Sequence, residues 1–210
     1  MIEAVELKTA DGVTLRGEVA MCTSDWIILV HPPGADIDAW RPLSDVLEEV
    51  ALTVLAVDLR GHGGSDGEPG EAALQRDVDA MLEYADSHGA LRMYLGFAGP
   101  TAAVASSIDP RHDVRGIVFV APVGSSGDDT PLSRLVLHDP GDPAQATAAD
   151  TLRDLPGWSL AISIPGAGPG LDALRGEWGE NVAGYVTAFL RDIRQADRLP
   201  AGEGNDADHG

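Results

Sequence analysis

Potentially reactive side chains follow two apolar runs of this sequence. His31 comes directly after the run WIILV, and His138, Asp139 and Asp142 lie in the segment HDPGD, which follows the run LVL. An imidazole or a carboxylate can accept or donate a proton near neutral pH. His138 closes its run and is the histidine best placed for proton transfer, with Asp139 and Asp142 as further acid–base candidates. These residue types indicate a site for proton-transfer chemistry, or the remains of one.

The elements that must position these loops can be predicted from hydrophobic periodicity. Alternating residues predict a hairpin over 5–7 and 13–19, and short apolar runs predict buried strands at 26–30, 52–57, 91–95, 116–120, 135–138 and 160–164. Amphipathic spacing predicts helices near 43–50, 74–85, 146–155 and 182–193, with a further helix of small residues ending at Ser107. Strands that alternate with helices predict an α/β fold with a mostly parallel, doubly wound sheet. Ligands of such sheets bind at the carboxyl ends of the strands, where the loops above lie.

The order of the loop motifs resembles the α/β-hydrolase fold superfamily. HPPG, DLRGHGGSDG, GFAGP, a strand ending at an aspartate and IPGAGPG follow one another in that superfamily's order, over roughly residues 5–193. The chain is similar to small lidless esterases and to dienelactone-hydrolase-like proteins. The resemblance implies a central sheet of about eight strands with helices on both faces and no substantial lid. We expect one domain over 1–199 and a disordered tail over 200–210.

The resemblance also assigns the positions of a catalytic triad, and two of the three residues differ from the superfamily's pattern. In that pattern, a serine nucleophile lies on a strand-to-helix turn of the form G-x-S-x-G. Ala98 occupies the serine position here, and Pro169 occupies the histidine position after the last strand. Asp142 matches the acid, with Asp139 at a position where the superfamily has glycine. Neither alanine nor proline has a side chain that can attack a carbonyl or move a proton.

The oxyanion-binding loop departs from the pattern as well. When the H-G-x motif is aligned on His31, the amide-donating position is Pro33, which has no N–H. Gly34 can supply an amide if the loop is shifted by one residue, and Gly99 can supply the second. His31 itself is expected to brace the loop, and Phe97 is expected to border the pocket beside Gly99.

We interpret the chain as a catalytically degenerate hydrolase, because loss of a triad nucleophile or base alone lowers turnover on the order of 10⁶-fold. We expect it to bind a small apolar or acyl-like molecule in a pocket above Ala98, or a protein partner. The expected border of that pocket comprises Pro33, Gly34, Phe97, Gly99, His138, Asp142 and Pro169. One alternative is a non-hydrolytic enzyme such as a lyase, dehydratase or cyclase, using Asp142, Asp139 or His138 as acid or base. A third interpretation is an ester or thioester hydrolase with relocated catalytic residues.

The amino-acid composition limits the classes of partner that we expect the protein to bind. The 210 residues include 14 Lys and Arg against 34 Asp and Glu, giving a net charge of −20. Nucleic acids and anionic membranes both require a positive face, so neither is an expected partner. Cys22 is the single cysteine, which excludes an internal disulfide, and no spacing of residues typical of a metal or cofactor site is present. The first residues resemble no secretion signal and no run approaches ~18 apolar residues, so we expect a cytoplasmic location.

Overall fold

The fold is built on one open sheet of eight strands. We analyse a computed structural model that describes residues 2–124 and 130–197; the predicted tail over 200–210 lies outside them. The strands are β1 (Ile2–Lys8), β2 (Thr14–Ala20), β3 (Asp25–Val30), β4 (Thr53–Val57), β5 (Arg92–Ala98), β6 (Val114–Val120), β7 (Ser133–His138) and β8 (Ser159–Ser163). Their order in the sheet is β1-β2-β4-β3-β5-β6-β7-β8. The pairs β1–β2 and β2–β4 are antiparallel and the remaining pairs are parallel, which confirms the predicted mostly parallel sheet.

Helices cover both faces of this sheet, as predicted. The α-helices are α1 (Arg41–Glu49), α2 (Leu74–Ser87), α3 (Pro143–Arg153) and α4 (Gly179–Ala196). The 3₁₀ helices are Ile37–Trp40, Glu71–Ala73, Gly99–Ser107 and Asp172–Leu174. Two apolar clusters form the core: α2, α3 and the 3₁₀ helix Gly99–Ser107 pack on one face, and α1 and α4 pack on the other. The central strands β3 and β4 are buried along their whole length, as their continuous apolar runs predict.

The segment after β5 is helical, but it forms a 3₁₀ helix throughout Gly99–Ser107. Pro100 lacks an amide hydrogen, and the Thr101 hydroxyl donates to the Ala98 carbonyl (2.8 Å) while accepting from the Ala98 amide (3.1 Å). A side chain that binds backbone groups of the first turn competes with the bonds of a regular α-helix. The turn that leaves β5 is therefore held by a threonine side chain.

A buried carboxylate, that of Asp25, forms ion pairs at the edge of the sheet where the parallel strands begin, which we call the amino edge. Asp25, at the start of β3, accepts hydrogen bonds from Nε of Arg92 (2.7 Å) and from Nε of Arg194 (2.9 Å). Arg194 of α4 also donates to the carbonyl oxygens of Val50 and Ala51. These contacts bind α4 to the start of β3 and to the connection between α1 and β4. The loops with candidate functional residues lie at the opposite, carboxyl edge.

Candidate functional site

Ala98 lies at the end of β5, and its methyl group points into the core. Its backbone is extended (φ −132°, ψ 139°), and the residue is fully buried in the cluster under α1 and α4. Alternating side chains of a strand point to opposite faces, so Ala98 faces the same side as Tyr94. The strained turn typical of a nucleophile elbow is absent at this residue. A side chain at position 98 therefore does not reach the carboxyl-edge surface.

Gly99 takes the left-handed conformation at this turn instead, with φ +57°. A Cβ atom on Gly99 would lie 3.5 Å from Cβ of Pro32 and 3.8 Å from Cα of Gly170. A Cβ atom on Gly170, which has φ +58°, would lie 3.4 Å from Cγ of Pro32. The loops after β3, β5 and β8 thus meet at two glycines and a proline. Pro169, the position assigned to the histidine, is exposed beside this junction.

In the loop after β3, the amides expected to bind an oxyanion are missing or already engaged. Pro33 and Pro100 have no N–H to donate. The Gly34 amide donates to Nε2 of His62 over 3.1 Å. The loop after β3 therefore presents neither of the two donors that the alignment offered from it.

Two histidines brace these loops through hydrogen bonds at both of their ring nitrogens. His31 is fully buried; its Nε2 accepts from the Leu59 amide (2.9 Å), and its Nδ1–H donates to the Pro32 carbonyl (3.0 Å). Burial lowers the pKa of the His31 imidazole, an effect that the hydrogen bond to Pro32 opposes. His62 is held in the same way, accepting from Gly34 and donating through Nδ1–H to the Arg60 carbonyl (2.9 Å). Both rings have their nitrogens committed to backbone groups.

The predicted acidic residues are also committed to the backbone. Asp142 caps α3 by accepting from the amides of Ala144 (2.8 Å) and Gln145 (3.2 Å). Asp139 accepts from the amides of Gly141 (2.8 Å) and Gly166 (3.1 Å). These carboxylates therefore hold the loop after β7 and tie it to the loop after β8.

A buried amide strengthens this connection. Gln145, 1% exposed, accepts from the Asp139 amide (2.8 Å) and donates to the Gly168 carbonyl (3.1 Å). Its amide nitrogen also lies 3.3 Å from Oδ2 of Asp142. A satisfied buried polar network fixes loop geometry, because each unpaired group would carry a desolvation cost.

His138 has a neighbour that the sequence analysis did not identify. It is paired with Ser163 across β7 and β8, and its Nε2 lies 3.3 Å from Oγ of Ser163. Within residues 2–124 and 130–197, the buried Nδ1 atom of His138 has no hydrogen-bond partner. A triad histidine needs a carboxylate at that nitrogen to orient the ring and stabilise its charged form. Within those residues, no carboxylate completes the pair as a hydrolytic triad.

A cavity of about 400 Å³ lies at the carboxyl edge, on the face covered by α2. We call it the α2 cavity. Its lining residues are Pro33, Leu59, Arg60, His62, Pro69, Gly70, Glu71, Leu74, Asp77, Pro100 and Thr101. Of the expected pocket border, Pro33 alone is among them. The cavity lies on the α2 face of the sheet, whereas the Ala98 side chain faces the layer of α1 and α4.

A buried ion cluster forms one wall of the α2 cavity. Arg60 donates through Nε to Asp77 (2.8 Å) and through its terminal nitrogens to Asp11 (2.9 and 3.0 Å). The side chains of Arg60 and Asp77 are 8% and 1% exposed. Burial raises the pKa of the Asp77 carboxyl, against the hydrogen bonds from Arg60, whereas the Arg60 side chain lowers the pKa of Asp11. The guanidinium is therefore compensated by two carboxylates.

Sequence reasoning missed this wall, although one signal was available. Asp77 lies on α2 between Leu74 and Val78, on the face that packs against the sheet. An acidic residue inside an apolar stripe requires a buried partner. That partner, Arg60, belongs to the loop motif on which the resemblance rests, but neither residue was assigned to the site.

Residues 2–124 and 130–197 offer neither a metal-binding cluster nor a membrane-spanning helix. They contain no group of three or more His, Cys, Asp or Glu side chains placed to hold a metal ion. Within those residues, no helix combines the length and the apolar character needed to span a membrane.

Several known proteins are similar in sequence to part of this chain. No family model matches the chain. The polyketide transferase GrgF of a Penicillium species is 30% identical over 157 residues, which are 64% of this chain and 51% of that protein. The chain thus spans about half of this curated relative, and smaller parts of the other relatives it matches.

Solved structures agree on the fold. The structure of GrgF, described as an α/β hydrolase, superposes with a TM-score of 0.74 and 17% identity over 92% of this chain and 99% of that one. An α/β serine hydrolase without a lid from Xanthomonas campestris superposes with a TM-score of 0.73 and 19% identity over 96% and 97%. The sheet order, the loop motifs and these superpositions lead to one conclusion: the protein has the fold of the lidless α/β hydrolases.

Proposed function

We propose that the protein is a catalytically degenerate member of this fold that binds a small, largely apolar molecule in the α2 cavity. The observation that carries the proposal is that Ala98 and Pro169 occupy the positions of the superfamily's nucleophile and base, next to the junction of Pro32, Gly99 and Gly170. No side chain at that junction can form a bond to a carbonyl carbon or transfer a proton. Binding without hydrolysis is the function that such a site supports best.

The size and lining of the α2 cavity support this proposal. Its volume of about 400 Å³ lies within the range of roughly 300–1,000 Å³ found for small-molecule pockets. Leu59, Leu74 and three prolines supply apolar surface, and burial of each ligand methylene contributes about 0.8 kcal/mol. The similarity to a protein named as a polyketide transferase supports an acyl-type ligand.

Two other interpretations rank below this one. A lyase, dehydratase or cyclase would need an acid or base at the ligand, but His138, Asp139 and Asp142 do not line the α2 cavity. A relocated hydrolase would rely on His138 and Ser163, and no carboxylate in the part of the chain that the structure describes binds Nδ1 of His138. The net charge of −20 also favours a small molecule over nucleic acid as the partner.

Ester hydrolysis tests the degenerate assignment. The native protein is expected to hydrolyse p-nitrophenyl butyrate and p-nitrophenyl decanoate no faster than a heat-denatured sample. Turnover clearly above that control would overturn the assignment.

Binding of a neutral fluorescent probe, N-phenyl-1-naphthylamine, tests the cavity. We expect saturable binding to the native protein and at least about tenfold weaker binding to Leu74→Trp, because the larger side chain fills the space. The matched control is Leu91→Trp, since Leu91 is 68% exposed at the amino edge of the sheet, and it should bind like the native protein. Circular dichroism verifies that both variants fold. Equal binding by folded Leu74→Trp and native protein would place the ligand elsewhere.

A further inference from the structure

We propose that the α2 cavity accepts acyl chains as neutral derivatives, such as amides and esters, and discriminates against the free carboxylates. This inference rests on the proposed binding function and specifies its ligand class. It follows from the charges and hydrogen-bond donors that the cavity presents.

The single guanidinium in the lining cannot act as a free anion site. Arg60 is bonded to Asp77 and to Asp11, and Arg76 also pairs with Asp11 over 3.4 Å, so the two guanidinium groups are balanced by two carboxylates. Glu71 adds a third carboxylate, which is exposed at the cavity. The cluster thus has three carboxyl groups against two guanidinium groups, within a chain whose net charge is −20.

The remaining polar side chains of the lining also give a carboxylate no strong partner. His62 uses Nε2 to accept from Gly34 and Nδ1–H to donate to Arg60, so its ring has no free donor. The Thr101 hydroxyl is committed to the backbone of Ala98. Pro33, Pro69 and Pro100 have no amide hydrogen. An anion that leaves water here would lose its hydration without gaining the charged hydrogen bonds that compensate it.

Competition between two ligands of equal chain length tests this selectivity. Decanamide and decanoate would each displace N-phenyl-1-naphthylamine from the native protein at pH 7.5 and low salt. We expect decanamide to bind about tenfold more tightly or better, the scale of a like-charge interaction across several ångströms near a protein surface. The difference should narrow in 1 M NaCl, where charges are strongly screened.

A pair of charge variants separates the local effect from the overall charge. Glu71→Gln should reduce the preference for decanamide severalfold. Glu180→Gln removes the same charge from an exposed position on α4, on the other face of the sheet, and should leave the preference unchanged. Decanoate binding as tightly as decanamide, or equal effects of the two variants, would overturn the selectivity while leaving ligand binding in place. If neither the probe nor either ligand binds, the proposed function itself fails.

Discussion

Gly99, rather than Ala98, adopts the left-handed backbone where β5 ends, and this difference decides where a new side chain would point. The motif GFAGP aligns Ala98 with the superfamily's nucleophile, but alignment alone does not report backbone conformation. The structure has Ala98 extended with a buried methyl group, and the positive φ lies one residue later. Restoring a serine at the aligned position would therefore place its hydroxyl in the core.

The double variant Ala98→Ser/Pro169→His tests this placement. We expect no gain of p-nitrophenyl butyrate hydrolysis and no labelling by a fluorophosphonate, because the new hydroxyl faces the α1 and α4 layer. The buried hydroxyl should lower the free energy of unfolding by about 1–3 kcal/mol, measured by urea denaturation of Ala98→Ser alone. Ala144→Ser, at an exposed position, should change it by less than about 0.5 kcal/mol. Appearance of covalent labelling at position 98 would contradict the orientation.

At the scale of elements, the predicted acid belongs to the architecture of α3. Asp142 is the N-cap of that helix and accepts from the amides of Ala144 and Gln145. The segment DPGDP matches both a catalytic-acid turn and a helix start, and the sequence does not separate the two. The hydrogen bonds in the structure distinguish the two roles, because the Oδ1 atom of Asp142 is directed at the first turn of α3.

Substitution of Asp142 distinguishes a cap from an acid. Asp142→Ala should lower the free energy of unfolding by about 1 kcal/mol, within a range of roughly 0.5–2, because an amide donor of α3 loses its acceptor. Asp142→Asn should be nearly neutral, since asparagine caps helices as well as aspartate does. Urea denaturation at pH 7 measures both. A large loss of stability in Asp142→Asn would show that the negative charge, not the cap, is what the loop needs.

The positions of the strands and helices could be predicted closely from the sequence, but the position of the cavity could not, and the reason is physical. Strands and helices are determined by periodicity within a few residues, so β3, β4, α2 and α4 lie near their predicted ranges. The α2 cavity is assembled from loops around residues 33, 59–62, 69–77 and 100–101. These segments are brought together by side-chain contacts such as the ion pair between Arg60 and Asp77. No local sequence pattern predicts such a pairing. The helix after β5 was predicted, but its 3₁₀ form depends on the Thr101 hydroxyl.

The whole molecule carries far more negative than positive charge, and this should make its stability depend on salt. A net charge of −20 on 210 residues repels itself in the compact state. The screening length falls from about 10 Å at 0.1 M to about 3 Å at 1 M salt. We expect the melting temperature to rise with NaCl over this range, by about 2–4 °C for each kcal/mol of relieved repulsion.

Choline chloride provides the control for this salt series, because it supplies ionic strength without sodium. Equal rises in both salts would establish screening as the cause. A falling melting temperature in both would contradict the prediction and show that ion pairs such as Arg16 with Asp66 outweigh the repulsion.

The contact between Arg194 and Asp25 also constrains the order in which the chain acquires its structure. The two residues are separated by 169 positions, and the same arginine binds carbonyl groups near residue 50. Contacts of such long range close late and slow folding, because a large loop must be ordered first. During synthesis, the α1 layer of the sheet lacks its α4 covering until the ribosome has released residue 194. Nascent chains would therefore expose this apolar surface through most of translation, which is the period when chaperone binding matters most.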